Sequence, residues 1–369
     1  MGEAVALAGE VWSPNLGDPL IHACLDHLLR RPGRITCIHA IDFEERTGYP
    51  AGLASRHRQL PPLLRTIAWR LLRHPARQRL WSRRLAGCQA LFIGGGQLLD
   101  DRGMLFPLRL AALAQAARHR RLPVALLACG AAESWSSLGR HLVERPFARV
   151  LRSVLVRDRA SARHLARTFP AWPPALVAPD PAVWAGTLYG VHAPRSEGAP
   201  VGLGIAGLPG LDAAAACAWW GDLANQLGAD GLACQLFSNG SEEDEQLLDR
   251  VAAATGAGRA PRPRHPRALV ETIAGYRAVA SARLHAGIIG FSLGVPAVCV
   301  LSAGKAAGFW EQVGLPDRAM GPAAAELVAC RLAGLARGPG DPPGLLPAAC
   351  AQIAEAVAQT AAATVESAP

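Results

Sequence analysis

An arginine, a histidine and a lysine in the second half of the sequence are residue types that could hold an anionic substrate and give it a proton. Arg283 and His285 stand at the start of the uncharged run SARLHAGIIGFSLGVPAVCV (281–300), and Lys305 follows that run. Guanidinium and ammonium groups bind phosphates and carboxylates, and an imidazole exchanges a proton near neutral pH. Together these side chains predict a site for an anionic donor.

A second set of polar residues lies between a predicted strand and a predicted helix near the start of the sequence. The segment SPNLGDPLIHACLDHLL (13–29) contains Asn15, Gly17 and Asp18. Asp18 is suited to cap the helix. At the carboxyl end of a strand it could instead bind or deprotonate a hydroxyl group. The sequence leaves both interpretations open.

Three consecutive glycines follow another predicted strand. The segment IGGGQLLDD (93–101) contains Gly94, Gly95 and Gly96. Without side chains, this backbone could approach a ligand closely and turn its N–H groups towards an anion. The segment lacks the last glycine of the dinucleotide-binding pattern, so a dinucleotide is not predicted.

Two further segments place polar residues after strands. In VRDRASARHL (156–165), Arg157 either binds an anion or pairs with Asp158 on the surface. In FSNGSEEDEQLLDRV (237–251), Ser241 and the acids after it predict a capped helix. The second segment is weak as a site.

Short apolar runs alternate with helical patterns along most of the sequence, which predicts βαβ units and parallel sheets. Such strands are buried on both faces and are therefore uniformly apolar. The predicted strands are AVALAG (4–9), RITCIHAI (34–41), QALFIGG (89–95), PVALLACG (123–130), SVLVRD (153–158), ALVAPD (175–180), VGLGIAG (201–207), LACQLFS (232–238), AVASAR (278–283) and PAVCVLS (296–302).

The fold class predicted from this pattern is α/β, with two Rossmann-like domains and a central cleft. Residues 186–200 are rich in Gly, Pro and Ser and predict a linker. The expected divisions are an N-terminal domain at 1–185, a C-terminal domain at 201–321 and a helical segment at 322–369. Ligands of such folds gather at the carboxyl ends of the strands.

The composition indicates a globular protein with an anionic partner. Half of the 369 residues are hydrophobic, 18% are charged, and the formal net charge is +9. Aromatic residues make up 5%, too few to interleave with the basic side chains as in nucleic-acid-binding proteins. The nine cysteines form no C-x-x-C pair, and His22 and His27 lie five residues apart, so no metal site is predicted. We expect a cytoplasmic protein without a signal peptide.

Two segments raise the question of membrane contact. Residues 286–304 are uncharged, but their glycines and Pro296 favour a buried helix, a turn and a strand over a membrane span. The basic segment 61–85 contains Trp69, Trp81 and many arginines. It could lie peripherally on the inner face of an anionic membrane. It could equally be a solvated basic helix or lie over a cleft for an acidic sugar.

Taken together, these segments resemble the polysaccharide pyruvyl transferase family. The resemblance rests on motifs in the family's order that span residues 13 to about 314. These motifs are PNLGD, IGGGQLLD, VRDRAS, APDPA (178–182), FSNGSEED, and SARLHAGIIGFSLGVPAVCV with Lys305 and the following GFWEQVG.

The resemblance implies a fold similar to that of the GT-B glycosyltransferases. It implies transfer of a pyruvyl group from phosphoenolpyruvate to two hydroxyls of a sugar, which gives a cyclic ketal in a cell-surface polysaccharide or its precursor. Carried over by motif, Arg157, His285 and Lys305 hold the donor, and we expect Arg283 to assist. We expect His285 to act as the acid and Asp18 as the base.

The resemblance further implies that phosphoenolpyruvate is the co-substrate without any additional cofactor, and that the acceptor is a glycan or a lipid-linked sugar. The N-terminal domain would take the acceptor and the C-terminal domain the donor. An alternative is a nucleotide-sugar glycosyltransferase of the GT-B type. It would need a ribose-binding acid near the donor phosphates, and residues 281–305 contain none. A third interpretation is a non-catalytic basic protein that binds lipid or glycan.

Overall fold

A computed structural model describes residues 2–46, 48, 74–194, 196, 198–301, 303–322 and 324–368, and all of their side chains except those of residues 74, 75, 303 and 305. The chain divides into two compact units. The first comprises residues 1–12, 21–179 and 351–369, and the second comprises residues 13–20 and 180–350.

The first unit is built on a six-stranded parallel sheet in the order β2-β1-β3-β4-β5-β6. Its strands are β1 (Glu3–Gly9), β2 (Ile35–Asp42), β3 (Leu91–Leu99), β4 (Val124–Ala131), β5 (Leu151–Val156) and β6 (Ala175–Val177). Its helices are α1 (Gly17–Arg30, which begins in the second unit), α2 (His74–Arg84), α3 (Leu105–His119), α4 (Ser137–Phe147) and α5 (Arg159–Thr168). The residues of β4 are all buried, as expected for a central parallel strand.

The second unit has its own six-stranded parallel sheet, in the order β12-β11-β10-β7-β8-β9. Its strands are β7 (Val201–Gly204), β8 (Cys234–Phe237), β9 (Gly258–Arg259), β10 (Ala278–Ser281), β11 (Ala297–Val300) and β12 (Ala319–Met320). Its helices are α6 (Ala185–Tyr189), α7 (Ala213–Ala229), α8 (Glu242–Thr255), α9 (Pro266–Ala274), α10 (Leu284–Leu293), α11 (Ala303–Gln312), α12 (Ala325–Arg337) and α13 (Leu345–Val365, which ends in the first unit). Short 3₁₀ helices occupy Pro181–Trp184 and Pro316–Arg318.

The predicted α/β fold class is confirmed, and all ten predicted strands are present. The run 281–300 is the end of strand β10, helix α10 and strand β11. Helix α10 packs tightly on β11, because a Cβ on Gly287 would lie 2.5 Å from the sulfur of Cys299. Among the described residues, no helix is long and apolar enough to cross a membrane.

The division into units differs from the predicted domain boundaries in three places. Residues 13–20 belong to the second unit. The predicted linker 186–200 begins inside helix α6, where the backbone N–H of Gly186 donates to the hydroxyl of Ser292 on α10. The last part of α13 belongs to the first unit, because Thr364 is fully buried and its hydroxyl lies 2.6 Å from that of Ser153 in β5.

The basic segment 61–85 is described only from residue 74 onwards, so Trp69 lies outside the described residues. Helix α2 holds Trp81 fully buried in the core of the first unit, with its indole N–H donating to Glu45. Arg77 on the same helix donates to the carbonyl of Phe43. The described part of this segment therefore packs on its own unit through its aromatic residue.

The three glycines predicted to face a ligand lie inside strand β3 and not in a loop after it. A Cβ on Gly94 would lie 2.7 Å from the carbonyl oxygen of Leu127. A Cβ on Gly95 would lie 2.6 Å from Ile21 of helix α1. Gly95 and Gly96 also have φ values of +82° and +84°, which favour glycine. These glycines allow α1 and β4 to pack closely on β3.

We predict that Gly95→Ala destabilises the protein more than Gly33→Ala. Both glycines have positive φ, so each substitution costs about 1–2 kcal/mol of backbone strain. Only Gly95 has an atom near its Cβ position, whereas Gly33 has none within 4 Å. Overpacking against Ile21 should add about 1–3 kcal/mol. Urea unfolding of the two variants measures the difference, and equal losses would contradict the packing role.

Candidate active site

A turn between strand β10 and helix α10 positions the two central polar residues of the second unit. The hydroxyl of Ser281, a fully buried residue, donates to the carbonyl of Gly204 at 3.2 Å and accepts the backbone N–H of Arg283 at 3.0 Å. Arg283 occupies the N-cap position with an extended backbone, and His285 lies in the first turn of the helix. Both residues therefore stand at the carboxyl end of a central strand, as predicted.

Arg283 is held by a buried carboxylate of helix α8. Its Nε and Nη2 donate to the two carboxylate oxygens of Asp244 at 3.0 and 2.7 Å, and Asp244 is 2% exposed. Burial alone would lower the pKa of Arg283, but the hydrogen bonds and charge of Asp244, with the charge of Asp18, raise it. The guanidinium is therefore a fixed cation with two carboxylates acting on it.

His285 is nearly buried, and a second buried carboxylate faces its ring. The Nε2 atom of His285 lies 3.9 Å from Oδ2 of Asp180, which is 1% exposed. The other oxygen of Asp180 accepts the backbone N–H of Ala182 and caps the 3₁₀ helix that follows. The cap thus fixes the Asp180 carboxylate in front of the imidazole of His285.

Residues 13–20, which form the loop before helix α1 and the first turn of that helix, pack directly on this histidine. A Cβ placed on Gly17 would overlap the imidazole, at 2.6 Å from Cγ and 2.7 Å from Cβ of His285. Only glycine therefore fits at position 17 without displacing the ring. The predicted residues Gly17 and His285 are brought into contact by the fold.

Asp18 lies one residue inside helix α1 and does not cap it, because the helix begins at Gly17. Its Oδ2 accepts hydrogen bonds from the hydroxyl of Ser13 at 3.0 Å and from the side-chain amide of Asn15 at 3.3 Å. Both bonds use the same oxygen. Among the described residues, Oδ1 of Asp18 accepts no hydrogen bond, so it remains available to a hydroxyl group.

The loop after strand β8 braces the loop at 13–20. The backbone N–H of Leu16 donates to the carbonyl of Asn239 at 2.9 Å. Gly240 adopts a φ of +96°, and a Cβ there would lie 3.1 Å from the side chain of Leu16. The carbonyl of Gly240 accepts two hydrogen bonds from Arg262, at 2.7 and 3.1 Å. The segment FSNGSEED thus positions the start of helix α1, which carries Asp18.

Arg157 belongs to the first unit, where it follows strand β5. It is 6% exposed, and its Nη2 donates to the side chain of Gln97 in β3 at 3.2 Å. A Cβ on Gly130 would lie 3.0 Å from the guanidinium. Asp158 caps helix α5 through the backbone N–H of Ser161. Arg157 is thus a buried residue at a strand end and not an exposed surface residue.

Lys305 lies in helix α11 of the second unit, but its side chain lies outside the described part of the structure. Asp180 and Asp244 were not predicted as site residues. Each had a signal: Asp180 is the first acid after strand β6 in APDPA, and Asp244 is the third acid in SEEDE. Their partners, His285 and Arg283, are distant in the sequence, so the sequence alone does not reveal these pairs.

Within the described residues, no three His, Cys, Asp or Glu side chains are grouped so that they could hold a metal ion. His22 is buried in helix α1, and burial lowers its pKa to about 4. It is therefore a neutral core residue at physiological pH.

The second unit thus joins an imidazole backed by a carboxylate, a fixed guanidinium, and a carboxylate with one available oxygen. The imidazole of His285 can donate a proton, and the guanidinium of Arg283 can stabilise an anion. The carboxylate of Asp18 can accept a proton from a hydroxyl.

The sequence matches the family model described as polysaccharide pyruvyl transferase over residues 15–303. No curated protein sequence matches the chain.

Three solved structures share the fold at low sequence identity. The UDP-N-acetylglucosamine 2-epimerase from Rickettsia bellii has a TM-score of 0.55 and 9% identity, with 99% of this chain and 97% of that chain covered. The UDP-GlcNAc 2-epimerase from Neisseria meningitidis bound to UDP-GlcNAc has a TM-score of 0.55 and 11% identity, with 99% of each chain covered. UGT71G1 from Medicago truncatula complexed with UDP-glucose has a TM-score of 0.53 and 12% identity, with 98% of each covered. This likeness concerns the GT-B-like fold alone.

We predict that the cost of Gly17→Ala depends on the histidine side chain. In the wild-type background the new methyl group should cost about 1–3 kcal/mol, because it overlaps the imidazole. In a His285→Gly background both the ring and the Cβ of residue 285 are gone, and most of this cost should disappear. Urea unfolding of the two single variants and the double variant gives the coupling energy.

Gly258→Ala serves as the matched control, because no atom lies within 4 Å of its Cβ position. Its effect should be the same with and without His285. An equal cost of Gly17→Ala in both backgrounds would show that the close approach to the ring does not constrain position 17.

Proposed function

Because the chain belongs to the polysaccharide pyruvyl transferase family, we propose that it moves the pyruvyl group of phosphoenolpyruvate onto two hydroxyls of one sugar, with release of phosphate and closure of a cyclic ketal. The observation that carries this proposal is the group of Arg283, His285 and Asp180 on which the loop with Gly17 and Asp18 packs. It combines a cation, a potential acid and a potential base in one unit.

The donor carries a phosphate and a carboxylate and therefore needs more than one cationic partner. We assign this role to Arg157, Arg283 and Lys305. Arg283 uses Nε and Nη2 on Asp244, so we expect it to act through its charge and its remaining N–H groups. The buried guanidinium of Arg157 at the end of β5 is suited to a bidentate contact with an anion.

His285 is proposed as the general acid. Its protonated ring gives a proton to the methylene carbon of phosphoenolpyruvate, which leaves an oxocarbenium-like C2. A sugar hydroxyl attacks C2, the bond from C2 to the phosphate oxygen breaks, and a second hydroxyl closes the ring. Two hydroxyl protons are released: one restores the acid and the other leaves with phosphate. The Asp180 carboxylate lies 3.9 Å from Nε2 of this ring.

Asp18 is proposed as the base that accepts a hydroxyl proton. Its Oδ2 is occupied by Ser13 and Asn15, which orients the carboxylate and leaves Oδ1 to the acceptor. We propose that the acceptor is a sugar of a cell-surface polysaccharide or of its lipid-linked precursor. The reaction needs no further cofactor, because the phosphate ester itself supplies the leaving group.

The proposal is tested by incubating the purified chain with phosphoenolpyruvate and a panel of nitrophenyl and lipid-linked sugars. We expect phosphate release together with an acceptor mass increased by pyruvic acid less one water. Phosphate release without that mass increase would exclude ketal transfer. Turnover of a UDP-sugar with release of UDP would support the glycosyltransferase alternative instead.

In this assay His285→Ala should lower kcat by about 100-fold or more, because a general acid contributes on that scale. His192→Ala is the matched control, since His192 is an exposed histidine outside the site. Near-wild-type turnover of His285→Ala at saturating donor would contradict the assignment of the acid.

We predict that Asp180→Asn changes the pH profile as well as the rate. The amide oxygen can still cap Ala182, but the negative charge next to the imidazole is lost. The protonated ring is then less favoured, so the basic limb of the kcat profile should move to lower pH. Asp212→Asn is the control, because Asp212 caps helix α7 on an exposed surface. If the rate falls but the basic limb of the kcat profile stays at the same pH, Asp180 acts only as a structural cap.

A further inference from the structure

One surface of the first unit carries a group of exposed arginines that, in the described part of the chain, have no carboxylate partner. They lie around the amino-terminal edge of the sheet, opposite the edge that carries Arg157. We call this set the arginine surface. Its members are exposed, and among the described residues none forms an ion pair: Arg79, Arg83, Arg118, Arg120, Arg121, Arg149 and Arg152.

The fold brings these arginines together through two helices and two strands that are neighbours. Helix α2 packs on helix α3. Arg120, just after α3, donates through Nε to the backbone carbonyl of Ser82 at 2.8 Å. Strand β4 begins at Val124, whose backbone N–H donates to the carbonyl of Val150 at 2.8 Å. Residues that precede β4 therefore lie beside those that precede β5.

The sequence supplies no counter-ions on these elements. There is no Asp or Glu in residues 46–99 or in residues 102–132. Other arginines of the same unit are paired: Arg34 with Glu3 and Glu366, and Arg109 with Glu44. Uncompensated like charges repel one another and attract anions. The arginine surface is thus an electrostatic site for a partner with several negative charges.

Part of the arginine surface is a groove of about 460 Å³. It is lined by Gln78, Arg79, Ser82, Arg83 and His119. An amide, a hydroxyl and an imidazole in one groove offer hydrogen bonds to sugar hydroxyls, and the two guanidinium groups match the geometry of carboxylates. This lining suits a carboxylated sugar chain better than an isolated phosphate.

We propose that the arginine surface binds an acidic polysaccharide, namely a stretch of glycan that already carries pyruvyl ketals. This inference rests on the proposed function, because each ketal adds one carboxylate to the chain. Within the first unit, the surface lies at the sheet edge opposite the strand end that carries Arg157. It would hold product segments of the polymer while a further sugar reacts.

An anionic membrane is the competing partner, and the described residues favour it less. Membrane-surface helices insert aromatic or aliphatic side chains between the lipids. Trp81, the aromatic residue of helix α2, is fully buried in the core, and Leu80 is only 37% exposed. The arginine surface has charge and hydrogen-bonding groups but no described aromatic anchor.

Binding is measured without phosphoenolpyruvate, so that the result is independent of turnover. The full chain is titrated with a pyruvylated polysaccharide, with the same polymer after mild-acid removal of its pyruvate, and with phosphatidylglycerol vesicles. We expect the pyruvylated polymer to bind in a salt-sensitive manner and the depyruvylated polymer to bind at least tenfold more weakly. Equal binding of the two polymers, or binding to vesicles alone, would overturn the proposal.

The variant Arg79→Gln/Arg83→Gln should weaken binding of the pyruvylated polymer by about threefold to tenfold, the range expected for two exposed ion pairs. Arg250→Gln/Arg337→Gln removes the same charge from exposed positions of the second unit and should bind like the wild type. Equal affinities of the two double variants would refute a specific role for the arginine surface.

The phosphate-release assay separates this inference from the proposed function. The variant Arg79→Gln/Arg83→Gln, called the groove variant, should retain the wild-type rate on a short nitrophenyl sugar. Such a sugar is too short to occupy a second site while it reacts. If no pyruvyl transfer occurs but the groove variant still binds the pyruvylated polymer more weakly, the reaction proposal fails and the binding surface stands. If transfer occurs and the variant Arg79→Gln/Arg83→Gln binds the polymer like the wild type, the reaction proposal stands and the binding surface fails.

Discussion

The close contact between Gly17 and His285 is the constraint on which the candidate site depends. The loop at 13–20 lies against the imidazole with no room for a side chain at position 17. This contact fixes the ring from one side, while Asp180 faces it from another. It also places the neighbouring Asp18 in the region of Arg283, whose pKa responds to the Asp18 charge. The absence of a side chain at Gly17 thus links the position of the proposed acid, His285, to that of the proposed base, Asp18.

Charge balance explains how so many ionisable groups remain in a compact site. An isolated buried charge is costly, and pairing offsets that cost. Asp244 is matched by Arg283 through two hydrogen bonds, and Asp180 is matched by a backbone N–H and by His285. Such arrangements keep side chains in place before a ligand arrives, which is the preorganisation that proton transfer and anion stabilisation require. The arginine surface is the opposite case, with exposed charge left unmatched.

The fold class could be predicted because parallel strands buried on both faces are visible as short apolar runs. Strands β9 and β12, of two residues each, are too short to form such a run. The glycines of β3 show the limit of this reasoning. The sequence indicates that their backbone approaches something closely, but not that Ile21 of helix α1 is one of the neighbours. Arg283 and His285 were found from their residue types. Asp180 and Asp244 were missed, because they act through partners far away in the sequence.

The discontinuity of the first unit has a consequence for biosynthesis. Residues 351–369 belong to this unit, yet they are translated only after the whole of residues 180–350. Domains generally fold as units, from the N-terminus, during synthesis. The side of the first sheet around Ser153 is therefore covered by helix α13 only after the whole of the second unit has been synthesised.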